Sequence, residues 1–133
     1  MSPYFALLQL DRFPGPFHRG KFRDAFKLEF AALDPQNRNA SSHGVGVVPD
    51  MDIYVTLAID TYSARLRWAF DRGDRFKRAV VVFVKDGPRG TLIELTRAEI
   101  TDVTMERMDM GFNTPNGDPT MSVTLHGTKA GSH

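Results

Sequence analysis

One segment of the chain, from Asp52 to Met105, constrains the fold more than any other. Apolar and polar residues alternate from Met51 to Asp60, which is the period of a half-buried β-strand. A single short helix is predicted from Ser63 to Arg72, and the runs KRAVVVFVK and LIELTRAEITDVTM that follow are typical of strands. One short helix between strands argues against a catalytic α/β domain and favours a barrel with one helix docked on it.

The predicted helix has a start signal, an apolar stripe and a stop signal. A hydroxyl residue, Thr61 or Ser63, can accept a hydrogen bond from a free N–H group of the first turn. Gly73 stands where a left-handed residue would end the helix. The stripe at i, i+3 and i+4 consists of Leu66, Ala69 and Phe70.

Further strands are predicted on both sides of this segment. From Lys21 to Phe30 the residues Phe22, Phe26, Leu28 and Phe30 share one phase, which predicts a half-buried strand whose start Asp24 disturbs. The run from Ala79 to Val84 is apolar on both phases, so both its faces are expected to be covered. Six or seven antiparallel strands and one helix predict a mainly β fold, a small closed or nearly closed β-barrel with one short α-helix packed on it.

Length and composition predict one soluble domain over residues 1–133. The chain has no cysteine, which excludes disulfides, thiolate metal sites and a cysteine nucleophile. The formal net charge of +1 gives no reason to expect nucleic acid as a partner. No apolar run reaches the roughly 18 residues of a membrane span, and the N-terminus lacks a signal-peptide pattern. We therefore expect folding in the cytoplasm and no membrane insertion.

The longest predicted loop runs from Asp34 to Asp50 and is rich in Asn, Ser, Gly and Pro. Loops longer than about 12–15 residues are uncommon in compact domains and are usually functional or disordered. Its apolar end, GVGVV, is either a docking element or the start of the next strand, and both interpretations stay open. The tail GTKAGSH, residues 127–133, has little to bury and is expected to fray.

No catalytic, cofactor-binding or metal-binding residue is predicted. None of the four histidines is paired at a ligand spacing, and no serine stands in GxSxG. The acidic residues between Glu94 and Asp109 could serve a hydrolase only if two of them faced each other across a cleft, which the sequence does not indicate. The chain is therefore not expected to be an enzyme.

Charged residues form two clusters of opposite sign. Six Lys and Arg residues lie between Arg65 and Arg78, with Trp68 and Phe70 interleaved. This cluster could bind nucleic acid, with the aromatic rings stacking on bases. Alternatively, it could meet the acidic segment from Glu94 to Asp109 on another copy of the chain, head to tail. Contacts of that kind close into rings or run into filaments.

Segment by segment, the chain resembles the Hcp family (haemolysin-coregulated protein), the tube subunit of bacterial type VI secretion. The similar segments are YFALLQLDRFPG, KLEFAALDP, IYVTLAIDTYSARLRWAFDRGDRFKRAVVVFVK, LIELTRAEITDVTM and MSVTLHGTKA. The family pattern of a short helix followed by a strand is matched in spacing by Leu66, Ala69, Gly73, Ala79, Val81 and Phe83.

The resemblance implies a β-barrel subunit of homohexameric rings that stack into a tube and carry effectors during contractile secretion. It implies, as partners, other copies of the chain, the type VI sheath, the spike protein and effectors, with no cofactor and with export that needs no signal peptide. Two alternatives remain: a phage-like tail-tube protein, and a small barrel that binds a ligand or nucleic acid. The residues assigned to contacts between subunits or rings are Asn39, His43, Val45, Val47, Arg65, Arg67, Arg72, Glu99, Asp102 and Glu106.

Overall fold

A computed structural model of the chain describes residues 3–36, 50–112 and 117–130, and strands account for most of them. The elements in chain order are β1 (Tyr4–Leu10), β2 (Phe17–Arg19), β3 (Phe22–Leu28), β4 (Phe30–Gln36), β5 (Asp50–Ala58), α1 (Ala64–Arg72), β6 (Arg75–Asp86), a 3-10 turn (Pro88–Gly90), β7 (Leu92–Gly111) and β8 (Thr120–Lys129). The prediction of a mainly β protein with one short α-helix is confirmed for this part of the chain.

The strands form one antiparallel sheet in the order β2-β3-β1-β6-β7-β8-β5-β4. Its hydrogen-bonded ladder does not close, since β3 pairs with β1 while β4 pairs with β5. The backbone instead passes from β3 to β4 through Glu29, whose N–H donates to the carbonyl of Thr56 at 2.7 Å. The sheet is therefore rolled around its core. The covalent backbone at Glu29 connects β3 with β4 at the position where a closed barrel would have a hydrogen-bonded ladder.

The long strand β7 divides the rolled sheet into two halves. Its first part pairs with β6, and its second part pairs with β8 from Ile100 onward. Asp102 lies where β7 pairs with both strands, in the left-handed region with φ 55°, and the β7–β8 ladder shifts register between Thr101 and Thr104. Such an extra residue bends a strand and increases its twist. We call β2, β3, β1, β6 and residues 92–102 the first half-sheet, and residues 103–111, β8, β5 and β4 the second.

The main core lies between the two half-sheets and takes inward residues from both, together with Leu66 and Ala69 of α1. A second apolar cluster lies on the outer face of the first half-sheet, where residues of β3 cover Leu7 and β6. Strand β6 supplies both clusters, with Val81 on the inner face and Val80 and Val82 on the outer face. The prediction that both faces of this strand are covered is confirmed.

The single apolar face predicted for Lys21 to Phe30 is wrong at its two ends. Asp24 adopts φ 55°, which Asp tolerates better than most residues, and this turns Phe22 into the outer cluster while Phe26 lies in the main core. Phe30 lies beyond the passage to β4 and is 55% exposed. An alternation pattern assumes that successive side chains always point to opposite faces of the strand. An irregular residue such as Asp24 breaks this assumption, so the side chains before and after it do not follow one phase.

Strand pairing includes both ends of the predicted loop and the start of the predicted tail. Gln36 pairs with Asp50 at the last position of the β4–β5 ladder, and residues 37–49 lie outside the described residues. Strand β8 continues to Lys129, so residues 127–129 of the tail are paired with a neighbouring strand. Residues 131–133 lie outside the described part of the chain.

Gly127 is a test of how tightly β8 packs at this end. A Cβ atom at this position would lie 2.8 Å from the carbonyl oxygen of Thr101 and 3.1 Å from the side chain of Ile100. We expect Gly127→Ala to lower the free energy of unfolding by about 1–3 kcal/mol, because the backbone must shift to admit the methyl group. Urea unfolding of the wild type and the variant measures the difference.

The matched control is Thr128→Ala on the same strand, whose side chain is half-buried on the outer face. It should change the free energy of unfolding by no more than about 0.5 kcal/mol. Equal effects of the two substitutions would contradict the packing argument.

Candidate assembly surfaces

The helix α1 begins in a buried network. The Ser63 side chain is fully buried, where its hydroxyl accepts a hydrogen bond from the N–H of Asp60 and donates one to the carbonyl of Ala58. The carboxylate of Asp60 accepts hydrogen bonds from the N–H groups of Tyr62 and Ser63. Ser63 thus joins the helix to the end of β5, whereas the sequence predicted that it would cap the first turn.

The helix ends as predicted. Gly73 is left-handed with φ 70°, its N–H donates to the carbonyl of Phe70, and the N–H of Asp74 donates to the carbonyl of Ala69. This is the double hydrogen bond of a glycine-terminated helix. It turns the chain directly into β6 and leaves one side of α1 facing outward.

The outward side of α1 carries the predicted interface arginines, and each has a partner within the same chain. Arg67 contacts Asp71 at 3.1 Å, and Arg72 contacts Asp74 at 2.7 Å. The hydrogen bond and the charge of Asp74 raise the pKa of Arg72 above its ordinary value.

Arg65 is held in a different way, by a backbone carbonyl and by aromatic rings. Its guanidinium donates to the carbonyl of Pro14 at 3.0 Å and lies over the rings of Phe13 and Tyr62. A partner copy could engage these three arginines only by sharing them with these existing contacts.

The two predicted charge clusters also meet each other inside one chain. Arg75 contacts Asp102 at 2.8 Å, and Arg78 contacts Glu99 at 3.7 Å, because β6 and β7 are neighbouring strands. Exposed pairs of this kind contribute about 0–1 kcal/mol each, yet they neutralise the local charge. These ion pairs within one chain would compete with a head-to-tail contact between copies. That contact stays a prediction from the sequence.

Glu106 is the predicted acidic residue with a different environment. It accepts a hydrogen bond from the hydroxyl of Thr104 at 3.3 Å and is exposed on the outer face of the second half-sheet. The remaining predicted contact residues, Asn39, His43, Val45 and Val47, lie outside the described residues.

A histidine centre on the same face escaped the sequence analysis. Nδ1 of His126 lies 2.5 Å from Oδ1 of Asp52, and its Nε2 lies 3.6 Å from Oδ2 of Asp50. The hydrogen bond to Asp52 raises the pKa of His126, partial burial lowers it by less, and the charges of Asp52, Asp50 and Glu106 raise it further. Alternation does place these residues on outer faces of their strands, but it does not say that β5 and β8 are neighbours.

The exposed aromatic residues mark further surface. Trp68 on α1 is 67% exposed, and Phe112 after β7 is 74% exposed. An apolar cleft of about 430 Å³ opens between the two half-sheets, lined by residues that include Tyr4, Phe30 and Leu95. These features distinguish the surface from a uniformly polar one.

Within residues 3–36, 50–112 and 117–130, no group of three or more potential metal ligands is present. No helix of this part of the chain is long and apolar enough to cross a bilayer.

Comparison with known proteins gives a consistent fold. Hcp1 from Salmonella typhimurium is similar with a TM-score of 0.72 and 18% identity, covering 94% of this chain and 81% of that one. A type VI secretion system effector from Yersinia pestis gives 0.65 and 16% over 90% and 81%. The secreted protein Hcp3 from Pseudomonas aeruginosa gives 0.63 and 12% over 94% and 85%. No protein-family model and no curated protein matches the chain. The chain therefore has the Hcp-like fold of type VI secretion proteins.

The His126 centre makes stability depend on pH in a defined direction. Because its pKa in the folded protein lies above the ordinary value of 6.5, its contribution is complete below that value and is lost as pH rises through the folded pKa. Urea unfolding between pH 5.5 and pH 9 should show a loss of at most about 1 kcal/mol, since the pair is partly exposed.

Replacing His126 with Asn should remove this part of the pH dependence. The control is His18→Asn, since the ring of His18 in β2 accepts an exposed hydrogen bond from the N–H of Asp24 in β3. An unchanged pH profile in the His126 variant would contradict the assignment.

Proposed function

We propose that this chain is the structural subunit of a type VI secretion tube, assembling as homohexameric rings that stack and carry effectors during contractile secretion. The observation that carries the proposal is the fold, which is shared with Hcp1 over 94% of the chain at a TM-score of 0.72. The sheath, the spike protein and effectors are the further partners, and no enzymatic activity is part of the role.

Three properties of the described residues support this role. The core is filled by side chains, so the functional features lie on the surface. The surface carries exposed aromatic residues, Trp68 and Phe112, beside ordered charged pairs. Buried aromatic anchors with a polar rim are the usual composition of an interface between proteins. The loop residues Asn39, His43, Val45 and Val47 are proposed to contact the adjacent ring, and export through the tube itself needs no signal peptide.

The first test is the mass of the protein in solution. Light scattering after size exclusion should give six times the mass of one 14.9 kDa chain, and negative-stain images should show rings. Single chains at every concentration and salt level would refute the proposal. A different closed ring would keep the tube role and correct its stoichiometry.

The nucleic-acid alternative makes a contrasting prediction around Trp68. Arg67 and Arg72 are already paired with carboxylates, so they cannot neutralise phosphates without losing those contacts. Filter binding to single-stranded DNA at two salt concentrations should give dissociation constants weaker than about 1 µM, as for non-specific binding. Trp68→Ala should leave them unchanged, whereas submicromolar affinity that depends on Trp68 would favour a binding module.

A further inference from the structure

We infer that neighbouring copies of this chain join side to side, with the basic first half-sheet of one copy against the acidic second half-sheet of the next. This inference rests on the proposed function, because it names the surfaces through which ring subunits meet. It follows from the distribution of charge in the fold and from which charged residues already have partners.

The net charge of +1 hides two regions of opposite sign. Residues 3–28 and 75–102, which make up the first half-sheet and its turns, contain eleven Lys and Arg but six Asp and Glu. Residues 30–36, 50–58, 103–112 and 117–130, which make up the second, contain two Lys and Arg but six Asp and Glu. The formal charges are thus +5 and −4. The helical segment, residues 59–74, is neutral, with three of each sign.

The acidic charge of the second half-sheet lies on its outer face. Asp50, Asp52 and Tyr54 alternate with core residues along β5, and Glu106 projects from β7 beside them. Partial burial and then the charges of Asp52 and Asp34 raise the pKa of the Tyr54 hydroxyl. One histidine, His126, stands among these carboxylates, so they outnumber the cations available to them.

The first half-sheet offers cations that have no carboxylate of their own. A polar cleft of about 220 Å³ on its outer face is lined by Arg12, Arg23 and Arg78, and also by Asp11 and Asp24. Among the described residues, Arg12, Arg23 and Lys77 take part in no ion pair, while Arg78 has Glu99 at 3.7 Å. Unpaired guanidinium groups on a rigid sheet are suited to receive carboxylates in a defined geometry.

A second copy fits these cations better than nucleic acid does. Six carboxylates are interspersed among the eleven cations of the first half-sheet, which interrupts a track for phosphates. Every copy carries one basic face and one acidic face, so the two faces are present in equal numbers. Because the two faces belong to different half-sheets, the contact is heterologous, and heterologous contacts of suitable angle close into rings. Charge pairing of this kind fixes register and partner choice.

Two variants each reverse the sign of one named charged group. R23E/K77E changes the summed charge of the group Arg12, Arg23 and Lys77 from +3 to −1, and lowers that of the whole first half-sheet from +5 to +1. D50K/E106K changes the summed charge of the group Asp50, Asp52 and Glu106 from −3 to +1, and raises that of the whole second half-sheet from −4 to 0. All four residues are at least partly exposed, and none belongs to the main core. Each variant alone should run as a single chain in size exclusion with light scattering, because the two named groups that would meet then carry charge of the same sign.

Mixing the two variants is the decisive step. In the mixture, named groups of opposite sign lie on different variants, and a ring with an even number of subunits can alternate the two. We expect the mixture to recover assemblies of wild-type mass that contain both variants in equal amounts by mass spectrometry. Salt should dissociate the wild-type rings and the mixed rings alike, since screening acts over about 10 Å at 0.1 M.

The control is R67E/R72E, which changes the net charge by as much as R23E/K77E but on α1. It should still assemble if the half-sheets form the contact, and its failure together with normal assembly of the two half-sheet variants would overturn the inference in favour of the helix. Circular dichroism and thermal unfolding confirm that each variant is folded, and the milder D50N/E106Q should weaken assembly if D50K/E106K does not fold.

The outcomes separate this inference from the proposed function. Wild-type rings together with half-sheet variants that also form rings overturn the inference and leave the tube role intact. Wild-type protein that stays monomeric overturns both. Single-stranded DNA that binds the wild type tightly and loses affinity in R23E/K77E would assign the basic face to nucleic acid instead.

Discussion

The rest of the structure depends on two strands that bend from one half-sheet into the other. The backbone passes from β3 to β4 at Glu29, and β7 exchanges β6 for β8 between Ile100 and Thr104, around Asp102. Asp24 and Asp102 both adopt a left-handed conformation near these bends, which costs about 1–2 kcal/mol per residue. Burial of a core shared by both half-sheets offsets that cost, since each fully buried aliphatic side chain contributes about 1.5–3 kcal/mol.

The bends also determine which charges meet. Because β7 stays paired with β6 up to Thr104, the carboxylates of Asp102 and Glu99 lie beside Arg75 and Arg78 of the same chain. Beyond the bend, β7 lies beside β8, where Glu106 has His126 and the aspartates of β5 as neighbours. One acidic segment of the sequence is thereby divided into a neutralised part and a part that keeps its charge.

Local patterns in the sequence were sufficient where a residue's role depends on its neighbours in the chain. The alternation of β5, the two-sided burial of β6 and the glycine that ends α1 were all predicted from such patterns. The patterns failed where strand partners matter. His126 and Asp52 are 74 positions apart, and only the order of the sheet brings them together. The left-handed Asp24 broke the phase that assigned Phe22 and Phe30 to one face.

Net charge is a property of composition, whereas recognition depends on where the charges lie. The net charge of +1 describes the whole molecule, and on that basis the sequence provided no reason to expect a strongly charged partner. Folding separates that total into half-sheets of +5 and −4, because each half-sheet is built from strands of separate parts of the sequence. A protein with this distribution has a low tendency to bind polyanions as a whole, yet each copy presents to the next a face of opposite sign. The proposed self-association depends on this separation of charge and not on the net charge.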